Sequence, residues 1–549
     1  MLNNLENVKE LGDHNMAKLT FRGGVGTVTG SCYLLETDNM RLLVDSGMFQ
    51  GKKELRAINY RKPLVPLNTI DYILLTHAHI DHSGLIPRFY KLGFRGKVLT
   101  TSATLDLCKV MLPDSGHIQE LEAEWKARKA KRRGEKPHPP LYTVVDAINC
   151  LQCFQPVSYG EEVQLNEQVR VRFLDAGHIL GSSIIEVWIQ DGDEETKIVF
   201  SGDLGNTGTA IVRDPFQITS ADYLLVESTY GNRIHESISD QTAHLKEIIL
   251  DTIMNRGNVI IPAFAVGRTQ QILYALNAMV ESGELPQIPV FIDSPLAVSA
   301  TEIFRDAKEC YDQETLELLS KGDDPLYFPG LSLVRSVDES RALNNYKGGA
   351  VIISASGMCD AGRIKHHLKH NLWRPESAVI FIGFQAEGTL GRRILEGAKK
   401  VKIMGEVINV AAKIHSLPGF SAHTDQPGIL NWINGFTGQP RRIFVVHGEA
   451  HESAAIAELI TQKTGIPTSI PKFNEEYLIK PTEPELIGVT EPLSLDLFDK
   501  QQQLLKSIDQ LEEKLAGLKK DLLAEEYEDE ELRALDEIMQ ELEERIAIP

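Results

Sequence analysis

The chain has 549 residues, 42% of them apolar and 24% charged, and a formal net charge of −20 at pH 7. This length is too great for one hydrophobic core and predicts about two to four domains. The composition is typical of a globular protein without membrane helices, and the acidic balance gives no support to a surface covered with basic residues for nucleic acid. Because the cysteines are too sparse for a disulfide framework and no secretory signal is expected, we predict a cytoplasmic protein.

Short β-rich runs alternate with Gly-rich or Asp-Asn turns over about the first 200 residues, with a helix expected around Gly84–Leu92. This pattern predicts a sheet-rich, mixed α/β unit. The predicted strands are Lys18–Phe21, Cys32–Glu36, Arg41–Val44, Asp71–Leu75, Val98–Thr100, Val169–Leu174, Ile184–Ile189 and Lys197–Phe200. A polar stretch from Asp114 to Pro140 contains the basic run KARKAKRR at Lys126–Arg133. Such a run is typical of a solvated helix face, and it is also the strongest local candidate for a phosphate contact.

The pattern becomes βαβ-like from about Ser220 to Gly405, which predicts a parallel sheet. A helix is expected at Gln270–Met279, and the later strands Arg442–Val446 and Tyr477–Ile479 follow after Val407. The predicted strands of the parallel sheet are Tyr223–Val226, Asn258–Pro262, Val290–Ile292, Ala350–Ser354 and Ala378–Ile382.

Two Gly-containing turns follow strands in this region, PAFAVGR at Pro262–Arg268 and SASGM at Ser354–Met358. Turns at the carboxyl ends of strands can offer backbone N–H groups to phosphates. The alternative is a pair of tight turns flanked by surface arginines. The substrate-binding candidates are Arg268, Ser354, Ser356, Gly357 and Arg363.

The tail from Phe498 has leucines at alternating spacings of four and three, which is the a/d spacing of a coiled coil. An acidic break at Glu525–Glu531 divides the tail, and two helices folded back as a hairpin are the natural interpretation. Whether they pack on their own chain or on a second copy in a homodimer stays open.

The most specific motif is THAHIDHSG at Thr76–Gly84, directly after the apolar strand DYILL. It places His77, His79, Asp81 and His82 on one short loop. Nitrogen and oxygen donors in this mixture suit zinc better than calcium or magnesium, which prefer oxygen. One loop cannot complete two sites, so further ligands must come from other strand ends. The candidates are His178, Asp203 and His447, with Asp45 placed to orient a ligand.

These motifs resemble the metallo-β-lactamase superfamily. HAHIDHSG, with Asp45, His178 and Asp203 in this order, is similar to that superfamily's metal-binding motifs. Glu227 in VESTYGNR, His423 in GFSAHTDQ and His447 in VVHGEA match motifs A, B and C of the β-CASP branch. That branch comprises nucleases such as the cleavage and polyadenylation endonuclease and RNase J. The resemblance covers about Lys18 to Lys480, and no ligand position departs from the pattern.

The resemblance implies an αββα sandwich with an inserted β-CASP domain. The expected boundaries are 18–215 and 407–485 for the hydrolase domain, 216–406 for the β-CASP domain and 498–549 for a helical tail. Two zinc ions are implied, with Asp203 and a hydroxide between them, the hydroxide acting as nucleophile. His423 would be the general acid, held by Glu227. The implied ligands are His77, His79 and His178 for one ion, and Asp81, His82 and His447 for the other.

The function implied is hydrolysis of phosphodiester bonds in RNA, with single-stranded RNA as the expected substrate. A DNA-processing β-CASP nuclease is the nearest alternative, but that group typically lacks a histidine at motif C, where this chain has His447. A small-molecule hydrolase of the same fold would not need Glu227 and His423, and a non-catalytic binding subunit would have lost ligands. Endonuclease and 5′-exonuclease action share these motifs and stay open.

Overall fold

Three larger β-sheets and one β-hairpin organise the part of the chain that a computed structural model describes. The described residues are 17–63, 65–134, 139–235, 238–383, 385, 388–480 and 483–489. The predicted helical tail therefore lies outside them. Among the described helices, none combines the length and apolarity needed to cross a membrane.

The strands are β1 (Ala17–Gly23), β2 (Cys32–Thr37), β3 (Met40–Val44), β4 (Tyr72–Leu74), β5 (Lys97–Thr101), β6 (Phe154–Val157), β7 (Glu162–Gln164), β8 (Val169–Asp175), β9 (Ser183–Asp191), β10 (Glu194–Phe200), β11 (Tyr223–Glu227), β12 (Val259–Pro262), β13 (Val290–Ile292), β14 (Leu331–Leu333), β15 (Val351–Ser354), β16 (Ala378–Phe381), β17 (Lys400–Ile403), β18 (Glu406–Asn409), β19 (Lys413–Ser416), β20 (Arg442–Val446), β21 (Thr468–Ser469), β22 (Glu475–Ile479) and β23 (Glu485–Val489).

The helices are α1 (Lys53–Ile58), α2 (Ile80–Ser83), α3 (Ile86–Lys91), α4 (Ser102–Arg133), α5 (Val144–Cys150), α6 (Ile238–Met254), α7 (Arg268–Glu281), α8 (Pro295–Asp306), α9 (Gln313–Ser320), α10 (Val337–Leu343), α11 (Ile364–Asn371), α12 (Leu390–Leu395), α13 (Gln426–Asn434) and α14 (Ala450–Thr464). The strands predicted in the first part of the chain are all present, with ends that agree within three residues. The helix predicted around Gly84–Leu92 is α3, and the short helix α2 precedes it.

Two sheets face each other and form the predicted sandwich. One has the order β23-β22-β1-β2-β3-β4-β5-β6, and the other β21-β20-β11-β10-β9-β8-β7. Alternate residues of each strand point into a shared apolar core, where Phe21 from the first sheet lies 5.2 Å from Phe444 of the second, measured between ring centroids. Residues of α13 and α14, such as Trp432 and Ile456, pack on the outer face of the second sheet. This arrangement confirms the predicted fold class.

The third sheet is parallel and has the order β14-β13-β15-β12-β16-β19. The cluster that packs it against α11 and α12 includes Ile260, Ile352, Leu368 and Ile394. We call the unit built on this sheet the cap. The strands of the cap are short apolar runs because both faces of a parallel sheet are buried, so side chains on either face avoid water.

The sequence-based limits of the parallel sheet are wrong at both ends. Tyr223–Glu227 does not join the cap; it pairs in parallel with β10 and β20 of the sandwich. Lys413–Ser416, beyond the expected boundary at residue 406, pairs with β16 of the cap. The physical reason is that a short apolar strand fits any buried parallel position, so its sequence does not say which sheet it joins.

Candidate metal centre and active site

The THAHIDHSG segment leaves the sandwich at the carboxyl end of β4. His79 is the N-cap of α2, so the chain is extended through His77 and His79 and becomes helical at Asp81 and His82. His77 and His82 are almost fully buried. A Cβ on Gly47 would come within 1.6 Å of the Asp81 carbonyl oxygen, so glycine alone allows the β3–α1 loop to approach this segment. All four predicted ligands of the motif therefore converge at the same end of the sheet.

Four side chains form a first cluster: His77, His79, His178 and Asp203. His79 Nδ1 lies 3.1 Å from His77 Nε2 and 3.2 Å from His178 Nε2. Asp203 Oδ2 lies 3.4 Å from His77 Nε2 and 3.6 Å from His178 Nε2. A Cβ on Gly205 would lie 1.7 Å from the Gly177 carbonyl oxygen, so this glycine lets the Asp203 loop close on the His178 loop.

A second cluster lies on the other side of Asp203 and consists of Asp81, His82 and His447. Asp203 Oδ1 lies 3.3 Å from His82 Nε2 and 3.1 Å from His447 Nδ1. His447 Nε2 lies 3.8 Å from Asp81 Oδ2. The two oxygens of Asp203 thus face different clusters.

Two observations support a fit between these donor atoms and divalent metal ions. In the part of the chain that the structure describes, His82 Nε2, His447 Nε2 and Asp203 Oδ1 are buried polar atoms without a hydrogen-bond partner. Buried polar atoms normally have partners, and a cation would supply them here. The donor separations in the first cluster, 3.1–3.6 Å, also match the roughly 3.3 Å between ligands of a tetrahedral ion with bonds of about 2.0–2.1 Å.

Burial keeps the three histidines of the first cluster neutral and therefore able to bind metal through a lone pair, whereas the carboxylates of Asp203 and Asp45 outweigh burial at His82 and raise its pKa. Burial lowers the pKa of His77 and His178, and it lowers that of His79 to about 3, in each case helped by neighbouring imidazoles. Burial alone would raise the pKa of the Asp203 carboxyl, but the charges of His447, His82 and His423 outweigh it and keep the carboxyl ionised. A buried anion beside the neutral imidazoles of His77, His79 and His178 is an environment that favours a cation.

Asp45 lies behind the clusters, on the side of His82 Nδ1. Its carboxylate accepts a hydrogen bond from the Thr76 backbone N–H at 2.8 Å and lies 2.7 Å from His82 Nδ1. The Thr76 hydroxyl also contacts this carboxylate and His77 Nδ1, at 2.9 and 3.0 Å. Asp45 and Thr76 together fix the ring orientations of His77 and His82. The sequence analysis did not single out Thr76, although it opens the same motif.

His423 and Glu227 form a pair at the edge of the first cluster. His423 Nδ1 lies 3.2 Å from both Glu227 carboxylate oxygens and 3.8 Å from Asp203 Oδ2. Glu227 is fully buried, whereas the His423 side chain keeps 18% of its exposure, so a substrate can reach it. Burial would lower the pKa of His423, but the carboxylates of Glu227 and Asp203 outweigh that effect and raise it.

Two residues near this pair were not predicted from the sequence. His235 Nε2 lies 3.1 Å from the His423 carbonyl oxygen, and the His235 backbone N–H donates to Asp425 at 2.8 Å. The Tyr230 ring lies 4.8 Å from that of His235, between centroids. Both residues belong to the segment YGNRIH that follows Glu227, and their position in that motif was the available indication. They hold the loop that carries His423.

The PAFAVGR turn of the cap reaches the metal clusters. Its Phe264 ring lies 6.4 Å from that of His79, and a Cβ on Gly267 would touch Ile179 in the His178 loop at 2.8 Å. Arg268 is buried and donates from Nη1 to Gln271 Oε1 at 2.7 Å. Burial lowers the pKa of its guanidinium to about 10, which leaves it charged at neutral pH. Its charge opposes the rise in the pKa of His423.

The SASGM turn adjoins PAFAVGR, but its polar side chains are engaged elsewhere. A Cβ on Gly357 would lie 3.0 Å from Phe264 Cδ2, which places this turn next to the Phe264 loop. The Ser354 hydroxyl donates to the Asp293 carbonyl at 2.7 Å, and Ser356 Oγ lies 3.4 Å from the Ala361 carbonyl.

Arg363 belongs to a separate buried network. It pairs with Asp293 at 2.7 Å and donates to the Arg335 carbonyl at 2.8 Å. Asp293 also lies 2.6 Å from His367 Nε2. Of the predicted substrate-binding residues, Arg268 acts on His423 through its charge, whereas Arg363 is tied to the cap.

Convergence of these ligands at the end of a β-sandwich defines the class of a metallo-hydrolase with the metallo-β-lactamase fold. Three family descriptions match the chain: Metallo-beta-lactamase superfamily at residues 25–94, Beta-Casp domain at 269–394, and Zn-dependent metallo-hydrolase RNA specificity domain at 407–471. The chain belongs to the β-CASP branch of the metallo-β-lactamase superfamily.

Its relatives match more than four fifths of the chain. The chain is 35% identical to Ribonuclease TTHA0252 of Thermus thermophilus over 453 residues, which cover 82% of this chain and 98% of that protein. It is 33% identical to an RNase J-like protein of Methanocaldococcus jannaschii over 460 residues, covering 83% and 98%. It is 30% identical to Transcription termination factor FttA of Methanosarcina mazei over 462 residues, covering 82% and 70%.

Proposed function

We propose that this chain is a zinc-dependent ribonuclease that hydrolyses phosphodiester bonds of single-stranded RNA. The observation that carries the proposal is the position of the His423–Glu227 pair. It lies at the accessible edge of a buried cluster of metal ligands, with His423 Nδ1 3.8 Å from Asp203 Oδ2. A hydrolase of small esters needs the cluster, but a poor leaving group such as a ribose hydroxyl also needs a proton donor beside it.

Zinc is the proposed metal because imidazole nitrogens dominate the donor set and carboxylates complete it. His77, His79 and His178 would hold one ion; Asp81, His82 and His447 would hold the other, with Asp203 shared. Two such ions, when bound, would supply hydroxide near neutral pH and would neutralise charge on a non-bridging phosphate oxygen. Asp45 orients the His82 ring through Nδ1, which leaves Nε2 directed at the cluster.

His423 gives the proton that the leaving oxygen needs. Glu227 accepts through both oxygens on the Nδ1 side of the ring, so the opposite nitrogen, Nε2, is free to act on the substrate. The Glu227 carboxylate is itself fixed, because Oε1 accepts the Leu204 backbone N–H at 2.7 Å. Arg268 adds a buried positive charge near the same position, which suits a phosphate of the substrate.

RNA is the proposed polymer for two reasons. Two relatives that match over 98% of their own length carry ribonuclease names, and the matching description of residues 407–471 refers to RNA specificity. His447 also occupies motif C, where the DNA-acting members of the branch typically lack histidine. Nothing in the geometry of the described residues favours a second function with equal weight.

The proposal is tested with end-labelled single-stranded RNA and a DNA of matched sequence. Zinc-loaded wild-type protein should cleave the RNA and cut the DNA poorly, and chelation should abolish cleavage. His423→Ala should slow RNA cleavage by about 100-fold or more. The matched control is His366→Ala, because His366 is an exposed histidine on α11 of the cap. It should cleave like the wild type.

The fragment pattern gives a further result from the same gel. Internal fragments identify endonuclease action, and released mononucleotides identify 5′-exonuclease action. If zinc-loaded wild-type protein cleaves neither polymer, the proposed function is wrong, and small phosphodiesters become the next substrates to test.

A further inference from the structure

The basic run at Lys126–Arg133 has no role in the proposed active site. Its positive charge contrasts with the negative net charge of the chain. Six of its eight residues are basic, while the whole chain has a net charge of −20. The run forms the last turns of α4, a helix of 32 residues. Trp125, Lys126, Arg128, Lys129, Lys131 and Arg132 are all exposed.

These cations are largely free of acidic partners. Lys126 pairs with Glu122 at 3.0 Å on the same helix. Among the described residues, no carboxylate lies within ion-pair distance of Arg128, Lys129, Lys131 or Arg132. A cluster of like charges on one helix costs stability through repulsion, and an anionic partner would remove that cost.

An aromatic side chain lies among the charges. The Trp125 side chain is 52% exposed, and Lys129 Nζ lies 3.4 Å from the centroid of its ring. At helical spacing, Trp125, Arg128, Lys129 and Arg132 share one face. A positively charged surface with an exposed aromatic ring is the combination that binds single-stranded nucleic acid, by phosphate contacts and base stacking.

The same helix begins at the proposed active site. The Thr101 and Thr104 hydroxyls, at its N-terminus, donate to the Gly181 carbonyl at 2.7 and 2.8 Å. Gly181 lies in the loop that carries His178. At a rise of about 1.5 Å per residue, Trp125 lies about 30 Å along the helix axis from Thr104.

We propose that the exposed end of α4, at Trp125–Arg132, is a secondary RNA-binding site. It binds single-stranded RNA at a distance from the scissile bond. This inference rests on the proposed ribonuclease function and deepens it, because it assigns a second contact to the same substrate. A short oligonucleotide that occupies only the active site cannot reach the helix end, so the site acts on long RNA alone.

Binding is measured without cleavage, on zinc-loaded protein that carries His423→Ala. The charge variant replaces Lys126, Arg128, Lys129, Lys131 and Arg132 with Gln, which keeps a good helix former at each position. The matched control replaces five exposed lysines elsewhere with Gln and changes the net charge equally. These lysines are Lys97, Lys308, Lys321, Lys463 and Lys472.

Fluorescence anisotropy with labelled RNA at about 50 to 200 mM salt gives the affinities and their salt dependence. The charge variant should bind long single-stranded RNA about ten-fold more weakly than the control variant. The slope of log K against log salt should fall by about 0.7 for each phosphate that the charge variant no longer neutralises. Both variants should bind a short oligonucleotide equally well.

Trp125→Ala provides an independent variant, with Leu121→Ala as its control because Leu121 is a half-exposed apolar residue on the same helix. Trp125→Ala should weaken binding of long RNA about five-fold or more because base stacking is removed, with little change in the salt slope. Circular dichroism shows whether each variant keeps its helix.

Equal RNA affinity of the charge variant and its control overturns the proposal. An equal loss for long and short RNA also overturns it, because a remote site cannot act on a short ligand. Cleavage by the wild type is measured separately. If the wild type cuts RNA but the charge variant binds normally, only the secondary site fails; if the wild type cuts no RNA, the ribonuclease function fails.

Discussion

His423 Nδ1 lies 3.2 Å from both carboxylate oxygens of Glu227, although 196 residues separate the two in the chain. Glu227 also accepts the backbone N–H of Leu204, which follows Asp203. One buried carboxylate thus connects the histidine to the segment that carries the shared metal ligand. Glu227 therefore fixes the distance between His423 and the metal clusters.

Glu227→Gln should lower kcat for RNA cleavage by about 10–100-fold. The amide oxygen can still accept from Leu204, but the negative charge that orients the His423 ring is lost. Zinc content should not change, because Glu227 is outside both proposed ligand sets. Glu186→Gln is the matched control, since Glu186 is a buried carboxylate in the same sheet, paired with Arg172 and Lys197. The control should lose stability and keep its kcat; an equal kcat for both variants would refute the role of Glu227.

His447→Ala should reduce the zinc content from about two ions to about one per chain, because four ligands of the first cluster remain. Elemental analysis of the purified protein measures this directly. Removal of all metal should also lower Tm, since an ion bound only by the folded state stabilises it. A zinc content that stays at two in the variant would contradict the assignment of His447.

Asp45→Asn should weaken metal binding by about 10–100-fold. Asp45 has φ +61°, a left-handed conformation that asparagine tolerates, so the substitution removes the charge without a large backbone cost. Competition with a fluorescent chelator measures the affinity. Asp293→Asn, at a buried aspartate that contacts His367 in the cap, should lower stability and leave metal affinity unchanged. Equal metal affinity for both variants would show that Asp45 does not act on the ligands.

Asp175→Asn should stabilise the protein above neutral pH. Burial raises the pKa of the Asp175 carboxyl to about 7, against the opposing effects of the Gly177 N–H and Arg213. The folded state therefore binds a proton more tightly than the unfolded state. The stability associated with the protonated group is complete below about pH 4 and is lost as the pH rises to about 7.

The variant removes that loss and keeps an oxygen for the Gly177 N–H, which Asp175 Oδ1 accepts at 2.9 Å. Chemical denaturation across this pH range measures the free energy of unfolding. Asp175→Asn and the wild type should have the same value near pH 4, and the variant's value should be higher by up to about 4 kcal/mol above pH 7. A difference that does not vary with pH would show that the carboxyl titrates normally.

The sequence predicted the sandwich strands well because they are short β-rich runs separated by Gly-rich or Asp-Asn turns. It also predicted the residues that meet at the metal clusters, since polar ligands directly after apolar strands must lie at the same end of the sheet. The sequence did not predict that the strand Tyr223–Glu227 belongs to the sandwich and not to the cap. Its partner Arg442–Val446 lies more than 200 residues further on, and local periodicity carries no information about such a pairing.

The extent of α4 was also missed, since Pro113 lies inside the helix and a proline normally indicates a boundary. The contacts of Arg363 show a different limit. An arginine after a Gly-containing turn looks the same in sequence whether it meets a phosphate or, as here, the buried Asp293. Only the folded chain decides between an anionic ligand and an internal carboxylate.

The most direct test of the account is single-turnover cleavage of one RNA phosphodiester that has either its natural oxygen leaving group or a sulfur in that position. A thiolate leaves without a proton, so it does not need the general acid. Zinc-loaded wild-type protein should cleave both substrates. His423→Ala should cleave the natural RNA about 100-fold or more slowly and the sulfur-substituted RNA within about ten-fold of wild type. An equal loss on both substrates, or no cleavage by the zinc-loaded wild type, would contradict the central claim.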